Sequence, residues 1–488
     1  MDGLCHSNHT PTPGLIEYKK AIELVQVLET ESTEGKVIIV NRYDHVTLDH
    51  LKCEWHVVGD GHISEKREVS IPKGVRPGAK AAIFIPSAMA SSERGEYLEV
   101  SFALKKDTNW ARAGHEVAFG QIPISIPSPQ LRRSAVFAPP MPAARLPPAA
   151  ARPIVSHMTT RYGTPVLRVE TKTNTFEFDK TTGLLCSWVT GDGTQVFANG
   201  ANGVSPSSDG QGQPLMNIDF YRPLTDNEAG NDGREWREGR LHQMRMHLKA
   251  FSCDERAEGA EGAEQDGGSV IVDVKHRIAP PVFNWSVDTS ITYTISASGS
   301  LSLHVKGKPR GSRLPRTWAR IGLTLVLAPA YADGTAKWYG RGPGEAYSDS
   351  KMAQRVGNWE CGVRELGTSY EFPQENGNRA DVRWVAFSQG GRDSDNEGKG
   401  EIRASFGKQT GCSFSALPYS CGELDQAGHL YELESLAAAR QERDGGKGKL
   451  FVRLDWKHQG LGSGSCGPRV GEEYELKVEE FEVQLMLE

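Results

Sequence analysis

"VIVDVKH" (270–276), "ITYTI" (291–295) and "LSLHV" (301–305) decide the fold class. In each, apolar residues occupy every second position: Val270, Val272 and Val274, then Ile291, Tyr293 and Ile295, then Leu301, Leu303 and Val305. A strand points successive side chains to opposite faces, so this alternation gives each sheet one dry face and one wet face. That is the habit of antiparallel sheets; parallel strands are buried on both faces and read as continuous apolar runs. The same pattern recurs in "YLEVSFAL" (97–104) and "LFVRLDW" (450–456), too often for an α/β chain, and predicts an all-β protein. The closing stretch "YELKVEEFEVQLMLE" (474–488) alternates at Tyr474, Leu476 and Val478, slips by one, and resumes at Phe481, Val483, Leu485 and Leu487, which predicts a β-bulge. One helix is predicted: Leu15, Tyr18, Ile22 and Val25 recur at helical spacing behind a cap residue, Thr12, and a first-turn proline, Pro13.

The chain has 488 residues and a formal net charge of -6, with acidic and basic residues intermixed. No basic stripe is present to neutralise a phosphate backbone, which argues against nucleic acid as a partner. No apolar run is long enough to span a bilayer and no charged-then-apolar leader opens the chain, so the reading is a cytoplasmic protein without a membrane. The sequons at Asn8 and Asn284 would matter only in a secreted protein. Eight cysteines are scattered singly without a C-x-x-C, and most are expected to be small buried hydrophobes. Cys53 illustrates this, sharing a strand face with Leu51, Trp55 and Val57. A proline- and alanine-rich segment, "APPMPAARLPPAAARP" (138–153), has no face to bury and separates a region the size of one small sandwich from a longer strand-rich region. Gly- and charge-rich runs at 256–268 and 389–400 read as surface insertions.

Several familiar motifs fail. "HEVAFG" (115–120) has Phe119 where a zinc-protease helix needs its second histidine, and the glycines of "GLGSGSCG" (460–467) lead into a strand pattern instead of a helix N-terminus. Three stretches stand out: "FYRPLTDNEAGNDGREW" (220–236), "WYGRGPGEAYSDS" (338–350) and "YEFPQENGNRADVRW" (370–384). Asp, Asn and Gly there serve tight turns, or, beside so many aromatics, a sugar site in which rings cover the apolar face of a pyranose and short polar side chains bond its hydroxyls.

Taken in order with "ARIGLTLVLAPAY" (319–331), "PYSCGELDQAGHLYEL" (418–433) and "HQGLGSGSCGP" (458–468), these stretches resemble the C-terminal domain of the LacZ-type β-galactosidases of glycoside hydrolase family 2. "IVNRYDHVTLDHLKCEW" (39–55) resembles the sandwich that precedes it there. The resemblance implies four parts: the close of a catalytic (β/α)8 barrel over residues 1–26, an immunoglobulin-like sandwich over 27–127, a linker over 128–157, and a galactose-mutarotase-like supersandwich, the small-chain domain, over 158–488. By the same resemblance, the two glutamates of a retaining glycosidase, about 5 Å apart, belong to the barrel, so no catalytic residue is expected in this chain; Asp226, Glu228 and Glu375 form no evident pair.

The expected contribution is the wall of the sugar pocket. The resemblance assigns Asp226 and Asn227 to it, a mobile loop to Gly230, Asn231 and the residues that follow, with Gly230 as hinge, and a rim turn to Cys466, where some members carry a tryptophan that stacks on the non-galactose sugar. Asp2 falls where an asparagine helps hold a monovalent cation. No cofactor is required by this chain itself, the Mg2+ and the Na+ or K+ of the family being bound mainly by other domains. The implied partners are a β-galactoside, a barrel-containing half or subunit, and further copies in an oligomer. A free carbohydrate-binding module and an inactive fragment of a truncated gene are the alternatives.

Overall fold

The computed structural model describes residues 4–28, 35–85, 96–124, 152–160, 163–198, 204–205, 213–255, 268–390, 400–407, 409–443 and 448–488. Asp2, nearly all of the expected linker, and most of the two expected insertions lie outside the described residues.

The alternating segments form neighbouring antiparallel strands. Ser269–Ala279, Ser286–Ser296, Leu301–Arg310 and Phe481–Leu487 pair in that order within a nine-stranded sheet. Their register stacks the apolar positions into rows: Val272 opposite Tyr293, Tyr293 opposite Leu303, Leu303 opposite Leu485; and likewise Val274, Ile291, Val305 and Val483. All eight side chains are buried. Slipping one strand by a residue would turn its whole dry face to water, so the alternation fixes the register as well as the fold class. Two four-stranded antiparallel sheets complete the large domain around one continuous apolar core. One runs Leu184–Thr190, Asn174–Asp179, Pro165–Glu170, Ile154–Thr159, and the other Met216–Asp219, Arg320–Leu327, Leu450–His458, Ser413–Leu417.

The small domain is a two-sheet sandwich with its own core. A three-stranded sheet (Val25–Leu28, Lys36–Asn41, Lys80–Phe84) faces one built on Leu51–Gly59, Tyr97–Leu104 and Glu116–Pro123. Leu51, Cys53, Trp55 and Val57 all lie in that core. The wider cysteine expectation needs correcting: Cys53 and Cys412 are buried, Cys5 and Cys466 are exposed, and the other four are intermediate.

The helix is Pro13–Ala21, and Thr12 caps it by accepting from the Leu15 amide. Val25 is not on it. That residue begins the first strand of the small sandwich, two residues before the expected boundary, and is fully buried there. The predicted bulge is also corrected. Glu472–Tyr474 is a single 3-10 turn, the Leu476 carbonyl accepts from the Trp318 amide, and only Phe481–Leu487 joins the large sheet. The one-residue slip therefore marks a change of partner.

The two domains meet along the strand Arg355–Gly362, at the edge of the nine-stranded sheet. The Gln121 amide bonds both the Val356 N–H (2.8 Å) and carbonyl (2.9 Å), and the Asn358 amide does the same for Gly59 and Gly61. At the centre the Phe119 ring is flanked by two cations, Lys20 Nζ of the helix at 3.7 Å from its centroid and the Arg355 guanidinium carbon at 3.8 Å. Glu17 anchors the helix to the large domain by accepting from the Met352 and Ala353 amides.

Candidate functional site

The segment 220–236 begins where the strand Met216–Asp219 ends. Arg222, fully buried, forks onto Glu228, Nη1 to Oε2 at 2.8 Å and Nη2 to Oε1 at 2.5 Å. Glu228 also accepts from the Thr225 amide and hydroxyl and so closes a capping box on the short helix Asp226–Ala229. A carboxylate that accepts four such bonds while only 2 % exposed is a structural group, out of reach of a substrate. Its role is to hold the turn that presents Asp226 and Asn227.

The segment expected as a mobile loop after Gly230 is helical. Only Gly230 and Asn231 separate this helix from the next, Asp232–Glu238, whose start Asn231 caps through its side chain at 2.6 Å. Trp236 on that second helix is fully buried, its indole N–H donating to the Thr317 carbonyl at 3.0 Å. Asp232, 2 % exposed, accepts from Arg316 at 2.7 Å, Arg469 at 3.0 Å and Gln459 at 3.3 Å. Gly230 itself has φ -86° and ψ -7°, ordinary helical angles, and a Cβ there would meet nothing within 4 Å. Neither backbone strain nor close packing requires a glycine in this conformation.

The turn carrying Cys466 packs against the same segment, and the two form one rim. Asn227 donates to the Gly462 carbonyl (2.8 Å) and accepts from the Ser465 hydroxyl (2.8 Å), while Asn231 donates to the Asn227 carbonyl (3.0 Å). On the other side Asp349 accepts from the Leu461 amide with one oxygen (2.9 Å) and from the Gly462 amide with the other (2.8 Å). Gly462 has φ +64°, and a Cβ on Gly464 would fall 2.5 Å from the Asn227 carbonyl oxygen and closer still to the Asn231 amide nitrogen. Cys466 is exposed at the tip of this turn, next to Ser465. Behind it, His458 sits with its ring 5.4 Å from that of Tyr347, and burial holds its imidazole well below the usual histidine range.

Asn227, Asn231 and Cys466 are thus gathered on one rim, with Asp226 half-buried on the adjoining helix. Asp232, Asp349 and Gly464 hold the rim together and were not singled out. Asp349 lies within the conspicuous stretch 338–350, but its two bonds reach 112 and 113 residues along the chain. No local signal marks it. Among the described residues no group of three or more His, Cys, Asp or Glu side chains could hold a metal ion, and no helix is long and apolar enough to cross a membrane.

Residues 37–125 match the family model of β-galactosidase domain 4. The chain is 29% identical over its whole length to a β-galactosidase of Kluyveromyces lactis, covering 39% of that protein. It is 26% identical to those of Priestia megaterium (94% of this chain, 38% of the relative) and an Arthrobacter species (98% and 42%). It therefore spans about two fifths of the length of these relatives, matching their C-terminal portion. A galactose mutarotase-like protein from Clostridium acetobutylicum aligns in structure with 69% of this chain and 98% of its own, at 8% identity and a TM-score of 0.36. The family model of the β-galactosidase small chain matches residues 170–487, and the chain belongs to that family.

Proposed function

We propose that this chain forms the wall and rim of the sugar site of a β-galactosidase whose reacting carboxylates reside in the rest of the protein. The observation that carries this reading is the convergence of three segments distant in sequence, at Asn227 and Asn231, at Asp349 and at 460–467, on one polar rim. Amides and serine hydroxyls of this kind bond sugar hydroxyls, and the exposed Cys466 faces the leaving-group side, where a thiol offers bulk without a flat ring to stack on. Glycoside hydrolysis needs one carboxylic acid to protonate the leaving oxygen and a second carboxylate at the anomeric carbon. Glu228 is consumed by Arg222, and the rim supplies no such pair.

A second observation supports a large protein partner. Along the N-terminal segment Leu4, Ile16, Tyr18, Ile22 and Leu24 are between 37% and 52% exposed, apolar side chains of the kind that a further domain covers. Oligomerisation of the complete enzyme, a role in lactose breakdown and a cytoplasmic location belong to the same proposal. A cation at Asp2 forms no part of it.

The test is nitrophenol release from a nitrophenyl β-galactoside. The purified chain alone is expected to be inactive, and adding a barrel-containing half, as a second polypeptide or fused upstream, is expected to restore turnover. Activity of the chain alone that survives purification would overturn the proposal.

A further inference from the structure

One face of the four-stranded sheet that carries the rim is polar although it is buried. The register sets Asp219 opposite Gly322, Gly322 and Ser413 opposite Asp455, and Thr324 and Ser415 opposite Arg453. Arg320, at the start of the same strand as Gly322, points into the same interior. Arg222 and Glu375 cover this face. Arg222, Arg320, Arg453, Glu228, Glu375 and Asp455 are all 3% exposed or less; Asp219 alone reaches water, its side chain 25% exposed.

The charges do not balance. Three guanidinium groups meet four carboxylates, and buried ions are tolerated only when paired. Glu228 has the fork of Arg222; Asp455 lies 2.8 Å from Arg320 Nη1; Asp219 has water and Arg320 at 3.5 Å. Glu375 has only Arg453, at 3.8 Å, and its Oε2 makes no hydrogen bond. Around it further polar atoms are buried without hydrogen-bond partners: Arg453 Nε and Nη2, Arg222 Nε, Ser413 Oγ, the Tyr347 hydroxyl, Arg320 Nε, and Arg320 Nη1 with Asp455 Oδ1, which lie at ion-pair distance but out of hydrogen-bond alignment. Such atoms are met in folded proteins by ordered water.

We propose that this cluster is a buried proton-binding site: Glu375 carries the proton that makes the network electroneutral, and ordered waters bridge it to the unpaired arginine and hydroxyl groups. The groups that face Glu375 are Arg453 and Asp455 from one strand, Arg320 from the next, Arg222 from the turn before Asp226–Ala229, Tyr347 from the 343–350 segment and Cys421 from the helix Cys421–Gln426. Burial pushes the Glu375 carboxyl up to about 7, against the pull of Arg453 and Arg222. The folded chain then keeps a proton that the unfolded chain releases near the ordinary value of 4.5, so the contribution of Glu375 to stability falls as pH rises from there to about 7 and is flat above, beside a fall of the same sign from Asp455, raised to about 6, and an opposite trend from His458. The share of the folding constant owed to Glu375 falls by a few hundred-fold across that interval.

The experiment follows 13C-labelled glutamate carboxyls in the full chain by NMR from about pH 4 to about pH 8, with urea unfolding of the chain and of Glu375→Gln at the same pH values. One glutamate titrating near neutrality, missing from Glu375→Gln, and a ratio of folding constants, unaltered chain over variant, that falls by a few hundred-fold across the interval are expected. All glutamates titrating in the ordinary range, or the same pH slope in both proteins, would overturn the inference. Burial also raises Glu345 and Glu23, so where Glu375→Gln does not fold, Glu375→Asp, which keeps the carboxyl but removes one labelled glutamate, assigns the signal.

Discussion

Two glycines of the rim make opposite demands, and exchanging each for alanine separates them. At Gly464 the new methyl would lie 2.5 Å from the Asn227 carbonyl oxygen and nearer still to the Asn231 amide. A real Cβ is never found so close to backbone, so the turn must back away. Overpacking of this kind costs about 1–3 kcal/mol, and the displaced turn also strains the 2.8 Å bond from Asn227 to the Gly462 carbonyl, a group of the kind worth about 1 kcal/mol. Gly464→Ala should therefore destabilise the chain by about 2–4 kcal/mol, roughly a 30- to 900-fold change in the unfolding constant. Gly230→Ala, with helical angles and open space, should shift stability by no more than about 0.5 kcal/mol. The assay is urea unfolding of both variants, together with hydrogen exchange of the Leu461 and Gly462 amides, whose protection by Asp349 should fall in Gly464→Ala alone. Equal costs at the two sites, or unchanged exchange in Gly464→Ala, would refute the close-packed rim.

Trp236→Ala removes a fully buried indole and its bond to Thr317, and calorimetry should show a loss of about 3–5 kcal/mol. His458 is held neutral in the folded chain but takes up a proton near pH 6.5 when unfolded; its contribution is complete above that value and lost as pH falls below it. The stability difference between the unaltered chain and His458→Asn, measured by urea unfolding, should therefore shrink on acidification. Among cysteines in the described residues, a maleimide should label Cys5 and Cys466 quickly in the native chain, whereas Cys53, whose thiol burial pushes up to about 12, should react only on unfolding.

The fold class was legible because alternation is a local signal that burial on one face enforces: Val272, Tyr293 and Leu303 announce in sequence the row they form in the sheet. Tyr474 to Val478 misled for the same reason, since alternation says that a segment is extended but not which strand it pairs with. At the site, Asn227 and Cys466 could be placed by resemblance, while Asp232 and Asp349 draw their roles from groups tens to hundreds of residues away. Gly230 looked like a hinge because glycine permits unusual angles; permission is not use, and the glycine whose smallness is used, Gly464, sits among several others in a run where composition cannot rank them.

The cation-flanked ring of Phe119 has a mechanical consequence. Helix, small sandwich and large domain are joined there by charge and ring, with Glu23, Glu116 and Glu99 gathered around Lys20 and Arg355, and not by a greasy interface. A greasy seam slides, because dispersion has no preferred bearing; a directed bond such as that from Arg355 Nη2 to Glu116 Oε1 favours an angle. The joint thus behaves as a clamp whose stiffness is set by the ionic atmosphere, and its partly exposed members loosen as the Debye length shortens. Dissolved salt becomes a dial on the angle between the two domains, and with it on how squarely the rim can be offered to whatever it faces.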